Sequence, residues 1–328
     1  MSERWTFHGG RLSEARSVYG DGAEPWLDLS TGINPHCWPG VRDLPIDWRA
    51  LPDERSLIEL EAAAAACFSV HPDHLCALPG TEIGLRLLGD VLPGKAFHLT
   101  PSYRTHAEMF IDSTPITFDE LENASGGTVI LANPNNPDGR TIMPDFLADR
   151  LGRLSASSGW LVVDEAFADA VPEASLATQV RDNQRLILFR SFGKFFGLPG
   201  VRLGFVLGPR SLIARFRAKL GSWRVSAAAL AIGTAAYRHW DWITDMRQTL
   251  HADAAALDAV LARHGFMAIG DCPLFRLIQT EQAAVLFDNL ARHAILTRPF
   301  DYNSRWLRLG LPGSDQALAR LDQALRDG

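Results

Sequence analysis

At 328 residues the chain is long enough for one large domain and a smaller one, and 47% hydrophobic with 21% charged residues is ordinary globular composition. A net charge of −6 leaves no basic footprint for nucleic acid, and Cys37, Cys67, Cys76 and Cys272 form no CxxC pair, which argues against a disulfide framework and a zinc site. No apolar run approaches the roughly 20 residues that span a bilayer, and Met1-Ser2-Glu3-Arg4-Trp5 is too polar for a signal peptide, so the expectation is a cytoplasmic protein with neither membrane nor metal.

Residues 1–50 are rich in Gly, Pro and Trp and weakly periodic, which predicts an irregular arm with one extended piece at 26–29. Two stretches stand out in it, His8-Gly9-Gly10 and Ser30-Thr31-Gly32-Ile33-Asn34-Pro35. Glycine pairs allow a backbone to approach a ligand, and they also simply make turns. Pro52-Asp53-Glu54 and the alanine run behind it predict a helix over 55–68. A strand at 75–78, the turn Pro79-Gly80-Thr81-Glu82 and a helix over 83–91 make a ready anion site, because the first helical N–H groups have no partner.

A strand at 96–99 is followed by a helix starting at Pro101-Ser102-Tyr103. The apolar run 128–132 is a buried strand, and Asn133-Pro134-Asn135-Asn136-Pro137-Asp138-Gly139 behind it reads as a turn. A helix over 143–155 leads to a strand at 160–163 that ends on Asp164-Glu165-Ala166-Phe167, and an acid there sits where α/β sheets bind ligands. The apolar run 186–189 is another buried strand, closed by Ser191-Phe192-Gly193-Lys194-Phe195-Phe196-Gly197 and then Leu198-Pro199-Gly200-Val201-Arg202. A lysine buried among phenylalanines is costly to keep charged, so the pKa of Lys194 should fall, and a neutral amine is nucleophilic towards aldehydes. On local composition alone a loop lysine with its head in water fits as well.

Strands alternating with helices from 75 to 207 predict a mostly parallel, doubly covered α/β sheet. Helical patterns fill 211–264, with a change of domain near 225–240. Strands at 274–280, 294–298 and 305–311 and helices over 281–292 and 314–326 predict a smaller C-terminal α+β domain. The expected division is an arm at 1–50, a large domain at 51–230 and a small one at 231–328.

The spacing Ser191-x-x-Lys194-x(7)-Arg202 resembles the lysine segment of pyridoxal-phosphate enzymes of the aspartate-aminotransferase fold (fold type I). The resemblance runs over nearly the whole chain in one order. It implies that Lys194 condenses with the cofactor aldehyde and that Asp164 keeps the ring nitrogen protonated. Asn136 would donate to the ring oxygen and Tyr103 would stack on the ring, with Gly80, Thr81, Ser191 and Arg202 as the phosphate cup. Many relatives carry tyrosine where Phe167 and Leu51 stand; the first hydroxyl would hold the ring oxygen and the second would reach the partner subunit's phosphate.

Within the fold, His8-Gly9-Gly10, Gly32 and Asn34 in the second stretch, and Asp164-Glu165-Ala166-Phe167 look like the threonine-phosphate decarboxylases of cobalamin biosynthesis. These are close to the histidinol-phosphate aminotransferases. Arg11 stands where that pattern has asparagine. Both groups use two C-terminal arginines, implying Arg308 on the substrate carboxylate and Arg298 on its phosphate. The implied reaction is decarboxylation of L-threonine O-3-phosphate in a homodimer, with His8, Gly9, Gly32, Asn34 and Asn136 also near substrate and the arm over 1–35 capping the site. Transamination of histidinol phosphate is the alternative. A nucleotide hydrolase fits less well: Gly193-Lys194 has Leu188 where the upstream glycine belongs and Phe195 where Ser or Thr belongs. A binding protein on the same fold is the third reading.

Overall fold

The computed structural model describes residues 3–21 and 24–327; Met1 and Ser2, which open the polar stretch above, lie outside the described residues, as do Gly22, Ala23 and Gly328. The chain forms two compact units, one of Cys37–Asn136 with Thr141–Thr244, the other of Met1–His36, Pro137–Arg140 and Asp245–Gly328. The division in the C-terminal half falls within the helix Trp240–Arg263.

The larger unit is built on a seven-stranded sheet in the order Leu75–Leu78, Gly204–Leu207, Leu186–Ser191, Trp160–Asp164, Thr128–Ala132, Ala96–Leu99, Ser113–Ile116. All neighbours are parallel except Gly204–Leu207, which runs antiparallel to both of its partners. The interior strands Thr128–Ala132, Leu186–Ser191 and Gly204–Leu207 are almost continuously apolar and buried along their length, as expected of a sheet covered on both faces. This is the mostly parallel α/β sheet that the alternation of elements predicts. The edge strand Ser113–Ile116 is new; Ser, Thr and Pro in it hide the apolar signal, and only Ile116 is buried. The helix expected at Pro101 begins only at Thr105 and lasts four residues, since Pro101 and Ser102 favour the turn.

One inverted strand has a consequence for function. Leu78, Leu99, Ala132, Asp164 and Ser191 are the carboxyl ends of their strands, and Gly204 is the amino end of the antiparallel one. Gly204 pairs with both Leu78 and Ser191, so Arg202 arrives at the same sheet edge as the residues that follow the parallel strands.

The smaller unit holds an antiparallel sheet in the order Arg298–Pro299, Trp306–Gly310, Phe275–Gln279, Ala268–Ile269. The single strand expected over 294–298 is two. Ile295–Leu296 pairs parallel with Leu27–Asp28, and Arg298–Pro299 pairs with Trp306–Gly310 at the sheet edge, where proline's missing N–H does no harm. The N-terminal stretch is less irregular than its composition predicts, because Leu12–Tyr19 is a helix. Only Ala15 of that helix is buried; its place is fixed by Tyr19, whose ring lies 6.2 Å from Trp5 and whose hydroxyl donates to Asp288 at 3.0 Å. Local periodicity cannot report a partner nearly 270 residues away.

Among the described residues, no helix is long and apolar enough to cross a membrane.

Candidate active site

Lys194 lies on the four-residue helical turn Phe192–Phe195, directly after the strand Leu186–Ser191. Phe192, Phe195 and Phe196 are fully buried. Phe192 stacks on Phe196 at 4.5 Å and Phe196 on Trp242 at 5.6 Å, so the turn rests on an aromatic floor. The lysine is only half-buried, and its Nζ lies 5.9 Å from the centre of the Phe167 ring. Phe167 presents a ring face there and has no hydroxyl to give.

Beside this turn is a cradle for an anion. Gly80 caps the helix Thr81–Val91 with φ +90, a conformation that side chains rarely adopt. A Cβ at Gly80 would stand 2.7 Å from Arg202 Nη2, and one at Gly204 would stand 2.8 Å from the Thr81 nitrogen. The missing side chains thus leave a space with the guanidinium, the start of a helix and its unpaired N–H groups around it. Ser191 ends its strand at the same edge, and its side chain makes no cap on the turn that follows. These donors fit a phosphate. Gly80→Ala should therefore lower stability by about 1–3 kcal/mol through backbone strain, measured by urea unfolding, and should weaken binding of pyridoxal phosphate in a titration.

Asp164 is buried at the end of Trp160–Asp164. Its Oδ1 accepts from the Ala166 N–H at 3.1 Å, and its Oδ2 lies 3.3 Å from His106 Nε2. An ionised carboxylate only accepts, so this ring nitrogen carries the proton, and Nδ1 faces Ser102 Oγ at 3.3 Å. His106 is fully buried and was not foreseen; the one sequence signal is its position three residues after Tyr103. Asn136 follows the turn at Ala132, half-buried, with the turn held by Asn133, whose side chain bonds both ways with Ile142 and donates to Ala174. Tyr103 packs edge-on to His106 at 5.8 Å, and its hydroxyl donates to Glu82 Oε2 at 3.0 Å. Burial, then the Glu82 charge, pushes the phenol well above its ordinary range, so Tyr103 stays a donor.

Of the eight residues expected at the cofactor, Asp164 and Ser191 end strands at this one edge, Gly80, Thr81, Tyr103, Asn136 and Lys194 follow strands there, and Arg202 precedes one. The set supplies an amine, a buried acid, an aromatic face and a phosphate cradle, which is the chemistry pyridoxal phosphate needs.

The remaining candidates lie in the smaller unit. Arg298 and Arg308 are direct cross-strand partners. Burial, and then repulsion from Arg298, draws the Arg308 guanidinium down to about 10, still charged at neutral pH. Two cations held opposite each other on neighbouring strands favour an anion beside them. Each also holds part of the N-terminal segment. Arg298 donates to the carbonyls of Trp5 and Phe7 at 3.2 and 3.0 Å, and Arg308 donates to that of Ser30 at 3.2 Å. Ser30 Oγ accepts from the Gly10 N–H at 2.7 Å and donates to Asp28. A Cβ at Gly9 would come within 2.4 Å of the Ser30 carbonyl oxygen, so the His8-Gly9-Gly10 turn can dock on Ser30 only without one. His8 is exposed against the Phe7 ring. Gly32 is buried, and Asn34 is buried with its Oδ1 accepting from the His36 N–H at 2.8 Å.

The model of the aminotransferase class I and II family matches residues 95–325. A threonine-phosphate decarboxylase of Sinorhizobium sp is 38% identical over 97% of this chain and 97% of its own length. One of Pseudomonas aeruginosa is 38% identical over 97% of this chain and 96% of its own. The solved histidinol-phosphate aminotransferase from Sinorhizobium meliloti, in complex with pyridoxal-5'-phosphate, matches with a TM-score of 0.82 and 19% identity, covering 96% of this chain and 94% of that one. At that identity the likeness is one of fold.

Proposed function

This chain belongs to the aminotransferase class I and II family, and on that premise we propose that it is a pyridoxal-phosphate-dependent lyase. It converts L-threonine O-3-phosphate to (R)-1-amino-2-propanol phosphate and carbon dioxide, a step of cobalamin biosynthesis. The carrying observation is that Lys194, buried Asp164 and the Gly80–Arg202 cradle share one sheet edge in a chain 38% identical, over 97% of its length, to two threonine-phosphate decarboxylases.

When bound, pyridoxal phosphate supplies an electron sink for a bond broken at the substrate's Cα. Thr81, Ser191 and Arg202 would hold its phosphate, Tyr103 its ring face and Asn136 its ring oxygen. Asp164 would hold the proton on its ring nitrogen, with His106 keeping the carboxylate in place. Lys194 Nζ would hold its aldehyde carbon in the resting enzyme. Arg308 binds the substrate carboxylate and Arg298 its phosphate. As the Cα–carboxylate bond breaks and carbon dioxide leaves, Lys194, free by then and carrying a proton taken up from solvent, delivers that proton to Cα in place of the carboxylate. Removal of the Cα proton instead would begin a transamination, the alternative that the fold likeness to a histidinol-phosphate aminotransferase keeps open. The experiment that decides is product analysis. Carbon dioxide release from threonine phosphate is expected; transamination of histidinol phosphate without it would assign the chain to the alternative.

We further propose a homodimer working in the cytoplasm, where its four free cysteines need no oxidant. Trp48, Leu51 and Ile58 are exposed apolar side chains close together in sequence, a surface suited to a second copy. Sedimentation at working concentration should give a dimer, and a fully active monomer would refute it.

A further inference from the structure

Glu82 stands one residue beyond the anion cradle, in the first turn of the helix Thr81–Val91. Its carboxylate gathers donors from two other places. Tyr103 Oη donates to Oε2 at 3.0 Å, and Thr105 Oγ1 lies 3.0 and 3.1 Å from the two oxygens. Arg86 Nε donates to Oε1 at 2.6 Å, and Arg86 Nη2 continues to Glu108 at 3.0 Å. One carboxylate thus joins the helix that begins at the cradle to the loop that carries the ring of Tyr103. Nothing in the chemistry described so far uses it.

We propose that Glu82 is a positioning residue that fixes the tilt of the Tyr103 ring relative to the cradle, so that phosphate binding and ring stacking act on the cofactor together. A phenol rotates freely about its Cβ–Cγ axis and swings about Cα–Cβ unless its far end is anchored. Here the anchor is an ionised acceptor, and hydrogen bonds to charged groups are the stronger ones. Thr105 and Arg86 hold the carboxylate so that it cannot follow the ring. The raised phenol pKa is consistent with a proton that stays on Tyr103.

This inference rests on the pyridoxal-phosphate reading. The test measures cofactor affinity by titration, together with the induced circular dichroism of the bound cofactor, in wild type, Glu82→Gln, Tyr103→Phe, the double variant and Arg86→Gln. Glu82→Gln and Tyr103→Phe should each weaken pyridoxal phosphate binding by about 5- to 20-fold and reduce the dichroic band alike. The double variant should be no worse than the weaker single one, because both act on the same bond, Glu82→Gln by taking the charge from its acceptor and Tyr103→Phe by taking away its donor. Arg86→Gln, which removes the exposed ion pairs to Glu82 and Glu108 but leaves Thr105 on the carboxylate, should stay within about 2-fold. Additive losses in the double variant, an unchanged band in Tyr103→Phe, or an equal loss in Arg86→Gln would each overturn the assignment. If Glu82→Gln does not fold, Tyr103→Phe against wild type decides, and an affinity unchanged there overturns it. Wild-type protein that takes up no cofactor would overturn the underlying reading itself, which separates the two failures.

Discussion

Lys194→Ala reconstituted with pyridoxal phosphate will lack the visible absorbance band of the wild type and will decarboxylate threonine phosphate at least about 10³-fold more slowly. Two losses combine in that figure. The amine no longer holds the aldehyde carbon, and no group remains to deliver a proton to Cα in place of the lost carboxylate; positioned proton transfer alone contributes about 10²–10⁴-fold. The fold should be unaffected. The turn is anchored by Phe192, Phe195 and Phe196, all fully buried, while Lys194 itself is half-buried, with its Nζ 5.9 Å from the centre of the Phe167 ring. A change at such a site is worth within about 0.5 kcal/mol of stability. Absorbance spectra, single-turnover rates and urea unfolding on one preparation check all three statements. The cradle is left intact, so phosphate-driven binding of the cofactor should persist in the variant, detected by equilibrium dialysis. A wild-type band that survives in Lys194→Ala would mean that another amine holds the aldehyde.

Some of this site is legible in the chain because it is fixed by short-range geometry. Ser191, Lys194 and Arg202 lie on a single strand–turn–strand passage, so their spacing survives as a pattern. Asp164 is legible because an acid that closes an apolar strand stands at the edge where α/β sheets bind ligands. Gly80-Thr81 is legible as a strand, a turn and a helix start. What decides the rest is register and tertiary pairing. The pairing of Arg298 with Arg308 depends on how two short strands align, and proline at 299 blurs the first of them. Their bonds to Trp5, Phe7 and Ser30 span nearly the whole chain. Glu82 and His106 are ordinary residue types in ordinary helical positions, and they gain meaning only from Tyr103 and Asp164, which other elements bring to them. The helix Leu12–Tyr19 is hidden for the same reason: Tyr19 is held by the Trp5 ring and by Asp288, and only Ala15 of the run is buried.

Arg308→Ala will lower kcat/KM for threonine phosphate by roughly 30-fold or more, with the cofactor band unchanged. The guanidinium is buried, packs 4.7 Å from the centre of the Phe275 ring, and faces Arg298 across the strand pair. Its lowered pKa, about 10, shows what burial and the neighbouring cation cost it, and an anionic substrate relieves both at once. Truncating one partner of a buried charge pair costs about 2–5 kcal/mol, much of it from the anion left unpaired, and each ~1.4 kcal/mol is tenfold in rate. Arg298→Ala should show a similar loss with a different signature. It should narrow the preference for threonine phosphate over threonine, because the phosphate is the group it is proposed to meet, whereas Arg308→Ala should leave that ratio standing. Since Arg298 also holds the carbonyls of Trp5 and Phe7, its removal should speed hydrogen exchange along residues 3–10, while Arg308→Ala should act first at Ser30. If Arg298→Ala speeds that exchange and leaves the ratio unchanged, Arg298 is a clamp on the N-terminal segment and the substrate phosphate is bound elsewhere.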